Sequence, residues 1–169
     1  SKPIRSVEDL KGMKIRVQQT EVAISMVRAL GAEATPMDYA EVFQGLQTGI
    51  VDGAENDFVS YYTSGHYEVA KYYSLDQHMA PPAVLLMSKA SWDKMTEAQQ
   101  EAVRKAAYEA AVWQRQAMQD YQLESRAACE AAGCEIIEVD VPSFQAAVAS
   151  VYDEYPQYKT IVDMINAVE

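Results

Sequence analysis

The chain has 169 residues, 49% of them hydrophobic and 23% charged, the balance of a globular domain long enough to bury about two-thirds of its unfolded surface. Fourteen basic residues against twenty-five acidic ones leave a net charge of −11. That balance argues against nucleic acid or an anionic membrane as partner, because both need a basic footprint.

Any anion site must therefore be built from a few deliberately placed cations. No apolar run reaches the length of about eighteen residues that a membrane span needs, so the chain is not expected to be membrane-inserted. The start, Ser1 to Arg5, carries no apolar signal-peptide core. A mature secreted chain would look the same, so compartment stays open on this ground. Cys129 and Cys134 allow two readings, unlinked thiols or a short-loop disulfide in an oxidising compartment. With only two scattered histidines to complete it, a zinc site is excluded, and no metal or cofactor is expected.

Asp9 to Gly12 make a turn into a strand, Lys14 to Gln18, where Ile15 and Val17 alternate with Arg16. Thr20 caps a helix that ends at Leu30, with Gly31 as its left-handed stop and Val22, Met26 and Leu30 as its buried stripe. Glu33 to Met37 is a second strand. Asp38, with Glu41 three residues on, predicts a capping box for the next helix, whose Val42, Phe43 and Leu46 face inward and which Gly49 stops. A third strand begins at Ile50 and runs into Gly53-Ala54-Glu55-Asn56. Connections this short fit right-handed parallel crossovers, hence half of a doubly wound α/β fold.

Asp57 to His66 reads as a tyrosine-rich helix and Tyr72 to Leu75 as a strand. Pro81-Pro82 is either a crossover between lobes or an ordinary loop. The continuous apolar run Ala83 to Met87 predicts a buried strand. Thr96 and Gln99 then open a helix with no Gly or Pro until Gly133, about 54 Å long at 1.5 Å per residue. Its core side is expected to be alanine-rich (Ala106, Ala107, Ala110, Ala111, Ala117), without the heptad seam of a coiled coil. Such length suits a helix packed on two lobes in succession. Glu135 to Val139 is a strand. Phe144, Val148, Val151 and Tyr155 mark an amphipathic helix from near Pro142, and Ile161, Met164, Ile165 and Val168 a last short one.

Ligands of an open parallel sheet bind outside the carboxyl ends of its strands, where Arg16 and Asn56 both fall. A guanidinium there offers a planar fork that matches a carboxylate, although a structural ion pair with one of the many acidic residues is the competing role. Asn56 can donate and accept, which suits a ligand with carboxylate and hydroxyl groups, or it can cap the following helix. Tyr39 lies against the ligand or in the core. His66 and His78 read as surface or satisfied core histidines. There is no nucleophile elbow, phosphate-cradling glycine loop or His-Glu-x-x-His, so the residues argue for binding and not for turnover.

Lys11-Gly12-Met13-Lys14-Ile15-Arg16-Val17 and the long run Glu41-Val42-Phe43-Gln44-Gly45-Leu46-Gln47-Thr48-Gly49-Ile50-Val51-Asp52-Gly53-Ala54-Glu55-Asn56 resemble the extracytoplasmic solute-binding proteins of TRAP (tripartite ATP-independent periplasmic) transporters. The resemblance continues through Tyr67 to Tyr73 and the long helix. It implies a type II periplasmic-binding-protein-like α/β fold of two lobes spanned by one long helix, with the first lobe mostly missing from this chain. Residues 1–81 and 122–169 would form the second, carboxylate-binding lobe, and residues 82–121 the remnant of the first. It also implies a periplasmic receptor that delivers a small carboxylate to membrane permease subunits. Arg16 would form the salt bridge to the ligand carboxylate and Asn56 would bond the same end. Tyr39 and His78 would be pocket residues, and Gln18 and Asp57 further contacts. The stretch Asn56 to Tyr61 with His66-Tyr67 is similar to members that take sugar acids such as uronates. A ligand-sensing domain for a signalling partner, or an enzyme acting on a small acid, are the competing readings.

Overall fold

A computed structural model describes residues 2–168. Strand β1 (Lys14–Val17), helix α1 (Glu21–Ala29), strand β2 (Glu33–Pro36), helix α2 (Val42–Thr48) and strand β3 (Gly53–Ala54) follow one another through short connections. The three strands are parallel in the order β2-β1-β3, so the first strand lies in the centre and each helix is a crossover. Register pairs Arg16 with Thr35 on one side and with Ala54 on the other.

Local signals explain much of this. The Thr20 side chain accepts from the Ala23 amide and caps α1, and Gly49 ends α2 in the left-handed region at φ +75°. Gly45 sits mid-helix because a side chain there would press on the Met37 Sδ at 3.1 Å. The core gathers Leu10, Met13, Ile15, Val17, Ala23, Met26, Val27 and Leu30 with Phe144 from the far end of the chain. Each fully buried aliphatic side chain there contributes about 1.5–3 kcal/mol.

Two expectations fail in this half. Met26 and Leu30 are buried as expected, but Val22 is exposed, and Ala23 and Val27 complete the buried stripe of α1. Asp38 closes no capping box: a 3-10 turn, Tyr39–Glu41, intervenes, and the Asp38 carboxylate accepts from Gln19 instead, at 2.8 Å.

Helices α3 (Phe58–Thr63) and α4 (His66–Val69) lead to strand β4 (Tyr72–Ser74), which pairs in parallel with β5 (Glu135–Ile137). Between them come α5 (Lys89–Trp92) and α6 (Glu97–Ala131), 35 residues without a break. The Thr96–Gln99 capping box is formed at its start. Only the last part of α6 is packed: Ser125 and Cys129 are buried against α3, whereas Ala106, Ala110 and Ala111 are exposed. Of the alanines expected on its core side, only Ala107 and Ala117 are even half-buried.

The run Ala83 to Met87 is not a strand. It has no regular secondary structure and Leu86 is 83% exposed, because no described strand pairs with it to complete a ladder. The single C-terminal helix expected from Pro142 is two pieces, α7 (Val141–Ala147) and α8 (Val151–Glu154), followed by α9 (Lys159–Asn166) with Ile161, Met164 and Ile165 outward. Cys129 and Cys134 are buried and unlinked. Burial pushes the Cys129 thiol up to about 11, and the Cys134 sulfur accepts from the Tyr61 hydroxyl at 3.3 Å. Among the described residues no helix is long and apolar enough to cross a membrane.

Candidate binding site

The carboxyl ends of β1 and β3 open into a cleft of about 770 Å³. Arg16, Gln18, Tyr39, Asn56, Asp57 and His78, the residues singled out from the sequence, all line it. Glu55 and His66 line it as well.

Arg16 is 4% exposed. Its Nε and Nη2 both donate to the Met37 carbonyl, at 3.0 and 2.8 Å, so the end of β2 fixes the plane of the guanidinium. Nη1 donates to Glu55 Oε1 at 3.3 Å. A guanidinium has five N–H donors, and three are met here, which leaves two for a ligand. The Tyr39 ring lies 5.6 Å from the guanidinium carbon, close enough for cation–π attraction. The ion pair considered for Arg16 is formed, to Glu55, and two guanidinium donors are left without a protein partner among the described residues.

The electrostatics around that pair are finely poised. Burial raises the Glu55 carboxyl above its ordinary value, against the pull of His78 and Arg16. His78 bonds Asp76 through Nδ1 at 2.7 Å. Burial opposes its charged form, but the Asp76 bond and the charges of Asp76 and Glu55 outweigh it and raise the imidazole. His66 goes the other way, lowered by burial and then by Arg16.

Asn56 is held on every side. Its carbonyl accepts from the Tyr73 hydroxyl at 2.6 Å, tying it to β4. Its side-chain oxygen accepts from the Asp57 amide at 3.1 Å, and its Nδ2 approaches the Tyr39 hydroxyl at 3.4 Å and His66 Nδ1 at 3.2 Å. The helix cap expected of Asn56 as its competing role belongs to Asp57, whose two carboxylate oxygens take the Ser60 amide and hydroxyl. Gln18 lies at the rim, exposed, one residue beyond β1. The one sequence signal for Glu55 was its place beside Asn56 at a strand end. His66 read from the sequence as a surface or satisfied-core histidine, with a hint only in the resemblance of His66-Tyr67 to sugar-acid-binding members, and the structure buries it beside Asn56.

A buried cation with spare donors, an amide and a half-exposed aromatic at the edge of a parallel sheet can grip the carboxylate of a small polar molecule. The pattern of the bacterial extracellular solute-binding proteins, family 7 (DctP), matches residues 1–158. A solute-binding protein of Chromohalobacter salexigens is 43% identical, over 97% of this chain and 50% of its own length. The 2,3-diketo-L-gulonate-binding periplasmic protein YiaO of Escherichia coli is 31% identical, over 88% of this chain and 45% of its own. The crystal structure of a TRAP periplasmic solute-binding protein from Xanthobacter autotrophicus with bound β-D-galacturonate superposes with a TM-score of 0.94 at 47% identity, covering 99% of this chain and 57% of that one. A Roseobacter denitrificans counterpart with bound β-D-glucuronate gives 0.94 at 40% identity, over 99% and 57%. The chain thus spans about half the length of the curated relatives it matches. On pattern, identity and fold together, it belongs to the DctP family of bacterial extracellular solute-binding proteins.

Proposed function

We propose that this chain is the carboxylate-binding part of a periplasmic receptor that captures a sugar acid of the uronate class and delivers it to the membrane permease subunits of a TRAP transporter. The observation that carries the proposal is Arg16: a buried guanidinium at a strand end, fixed by Met37, with two N–H donors left at the cleft. Tyr39 offers a face to a sugar ring, and Asn56 offers polar atoms beside the carboxylate end. Gln18 and His78 line the same cleft and complete the set of proposed contacts, while Asp57 lines it with both carboxylate oxygens committed to Ser60. The relatives crystallised with galacturonate and glucuronate support the choice of uronates over simple dicarboxylates. The receptor binds and releases its ligand without chemical change.

Residues 1–81 and 122–169 make up the lobe that holds the carboxylate, and residues 82–121 lead toward the other lobe. Burial supports this division, since the packed positions of α6, Ser125 and Cys129, fall in its last third.

The test is calorimetric titration of the protein as its gene encodes it with β-D-galacturonate and D-glucuronate. Micromolar or tighter binding is expected. Arg16→Ala should lower affinity roughly a hundredfold or more, a loss of about 3 kcal/mol, because one charge of a desolvated pair is removed. A variant within about tenfold of wild type removes Arg16 from the role. A wild-type protein that ignores both uronates but answers a dicarboxylate or keto acid overturns the ligand class.

A further inference from the structure

We propose that His66 is the positioning residue that sets which way the Asn56 side-chain amide faces in the cleft, acting as a neutral ring that accepts through Nδ1. The consequence for ligand affinity rests on the carboxylate-binding function proposed above; the hydrogen-bond polarity stands by itself.

The polarity can be traced atom by atom. A backbone N–H can only donate, so the Asn56 atom 3.1 Å from the Asp57 amide is the oxygen. The other arm of the amide, Nδ2, then carries two donors. One points at the Tyr39 hydroxyl, 3.4 Å away, which also lies 2.7 Å from Ser64 Oγ and 3.4 Å from the Ser60 carbonyl. The second meets His66 Nδ1 at 3.2 Å, and that nitrogen must be bare to accept it. The ring proton therefore sits on Nε2. A cationic His66 would set one N–H against another.

The surroundings hold the ring in that state. His66 is 3% exposed, and Arg16, reaching in from β1, disfavours a second positive charge. Tyr39, from the turn after β2, faces the ring at 5.6 Å, and Glu68 is the acidic residue on its own helix.

The Tyr73 bond fixes the Asn56 backbone but says nothing about rotation of the amide. The terminal torsion of asparagine has a broad, two-fold profile, so neighbours decide its orientation. The contact to Tyr39 is long, and His66 supplies the shorter of the two acceptors on Nδ2. Without it only the Asp57 N–H and the long Tyr39 contact hold the orientation of the amide, and the donor–acceptor pattern offered to a ligand loosens.

The experiment uses the protein as its gene encodes it, labelled with nitrogen-15, at about pH 6.5, where an ordinary imidazole is half protonated. Long-range proton–nitrogen correlation should show His66 Nδ1 bare and Nε2 protonated. His66→Leu should shift both Asn56 side-chain amide resonances and lower galacturonate affinity by about tenfold. His66→Asn should restore affinity to within about threefold of wild type, because its Oδ1 stands where Nδ1 stood. A protonated Nδ1 in the wild type overturns the proposal, as does a folded Leu variant with unchanged amide resonances and affinity. If the Leu variant does not fold, the wild-type tautomer and the Asn variant decide. A wild-type protein that binds no uronate overturns the proposed function, while the ring nitrogens and the Asn56 resonances still decide the role of His66.

Discussion

Half of the strand Lys14–Val17 is charged and the run Ala83 to Met87 is wholly apolar, yet Val17 is fully buried while Leu86 is 83% exposed. Composition alone would order them the other way. The first has a parallel strand on each side, brought there by two short crossovers, and α1 packs against it. The second has no described strand beside it and no helix over it. α6 repeats the contrast within one element. Its last turns bury Ser125 and Cys129 against α3, while Tyr108 and Trp113 further up stand in solvent. A strand or a helix face is thus a statement about neighbours, and this chain holds well-packed and bare regions side by side. Stability should be concentrated accordingly.

The largest expected effect lies in the packed region. Phe144 is 2% exposed in the core under the three-stranded sheet, although it comes from α7 near the other end of the chain. Phe144→Ala should cost about 3–5 kcal/mol through lost burial and the cavity left behind. Denaturant unfolding of the 169-residue chain measures it. A cost below 1 kcal/mol would mean that the packed region does not carry the stability of the chain.

The same contrast explains what the sequence made legible. The run from β1 to β3 could be read from Thr20, Gly31 and Gly49, because caps and stops act within a few residues. The length of α6 could be read from the absence of breakers. The alanines assigned to its core could not, since the face that is buried depends on what packs there. Ala83 to Met87 failed for the same reason. In the cleft, Arg16 and Asn56 were legible from their places at strand ends. Glu55 and His66 were not, because their parts come from the Nη1 contact and from the turn of α3 into α4. Asp57 shows the finer limit: it does line the cleft, but both its oxygens already serve Ser60.

That gives a middle-sized test at the edge of the packed region. Asp57→Ala removes the cap of α3 and should cost about 1 kcal/mol. Uronate affinity of the protein as its gene encodes it should stay within about twofold, since the Asp57 carboxylate is committed to the helix. A clear fall in affinity with stability intact would make Asp57 a direct ligand contact as well as a cap.

The smallest effect belongs to the bare region and is the sharpest test of the contrast. Leu86 is as apolar as any core residue, so its hydrophobicity alone would predict a costly change to serine. Exposure says otherwise: a side chain already in water has no burial to lose, and surface substitutions typically stay within about 0.5 kcal/mol. Leu86→Ser should therefore leave the unfolding free energy of the 169-residue chain unchanged within that margin, in the same assay that registers Phe144→Ala. A loss of about 2 kcal/mol would show Ala83 to Met87 packed against something in the chain, and the line between packed and bare regions would then have to move past residue 87.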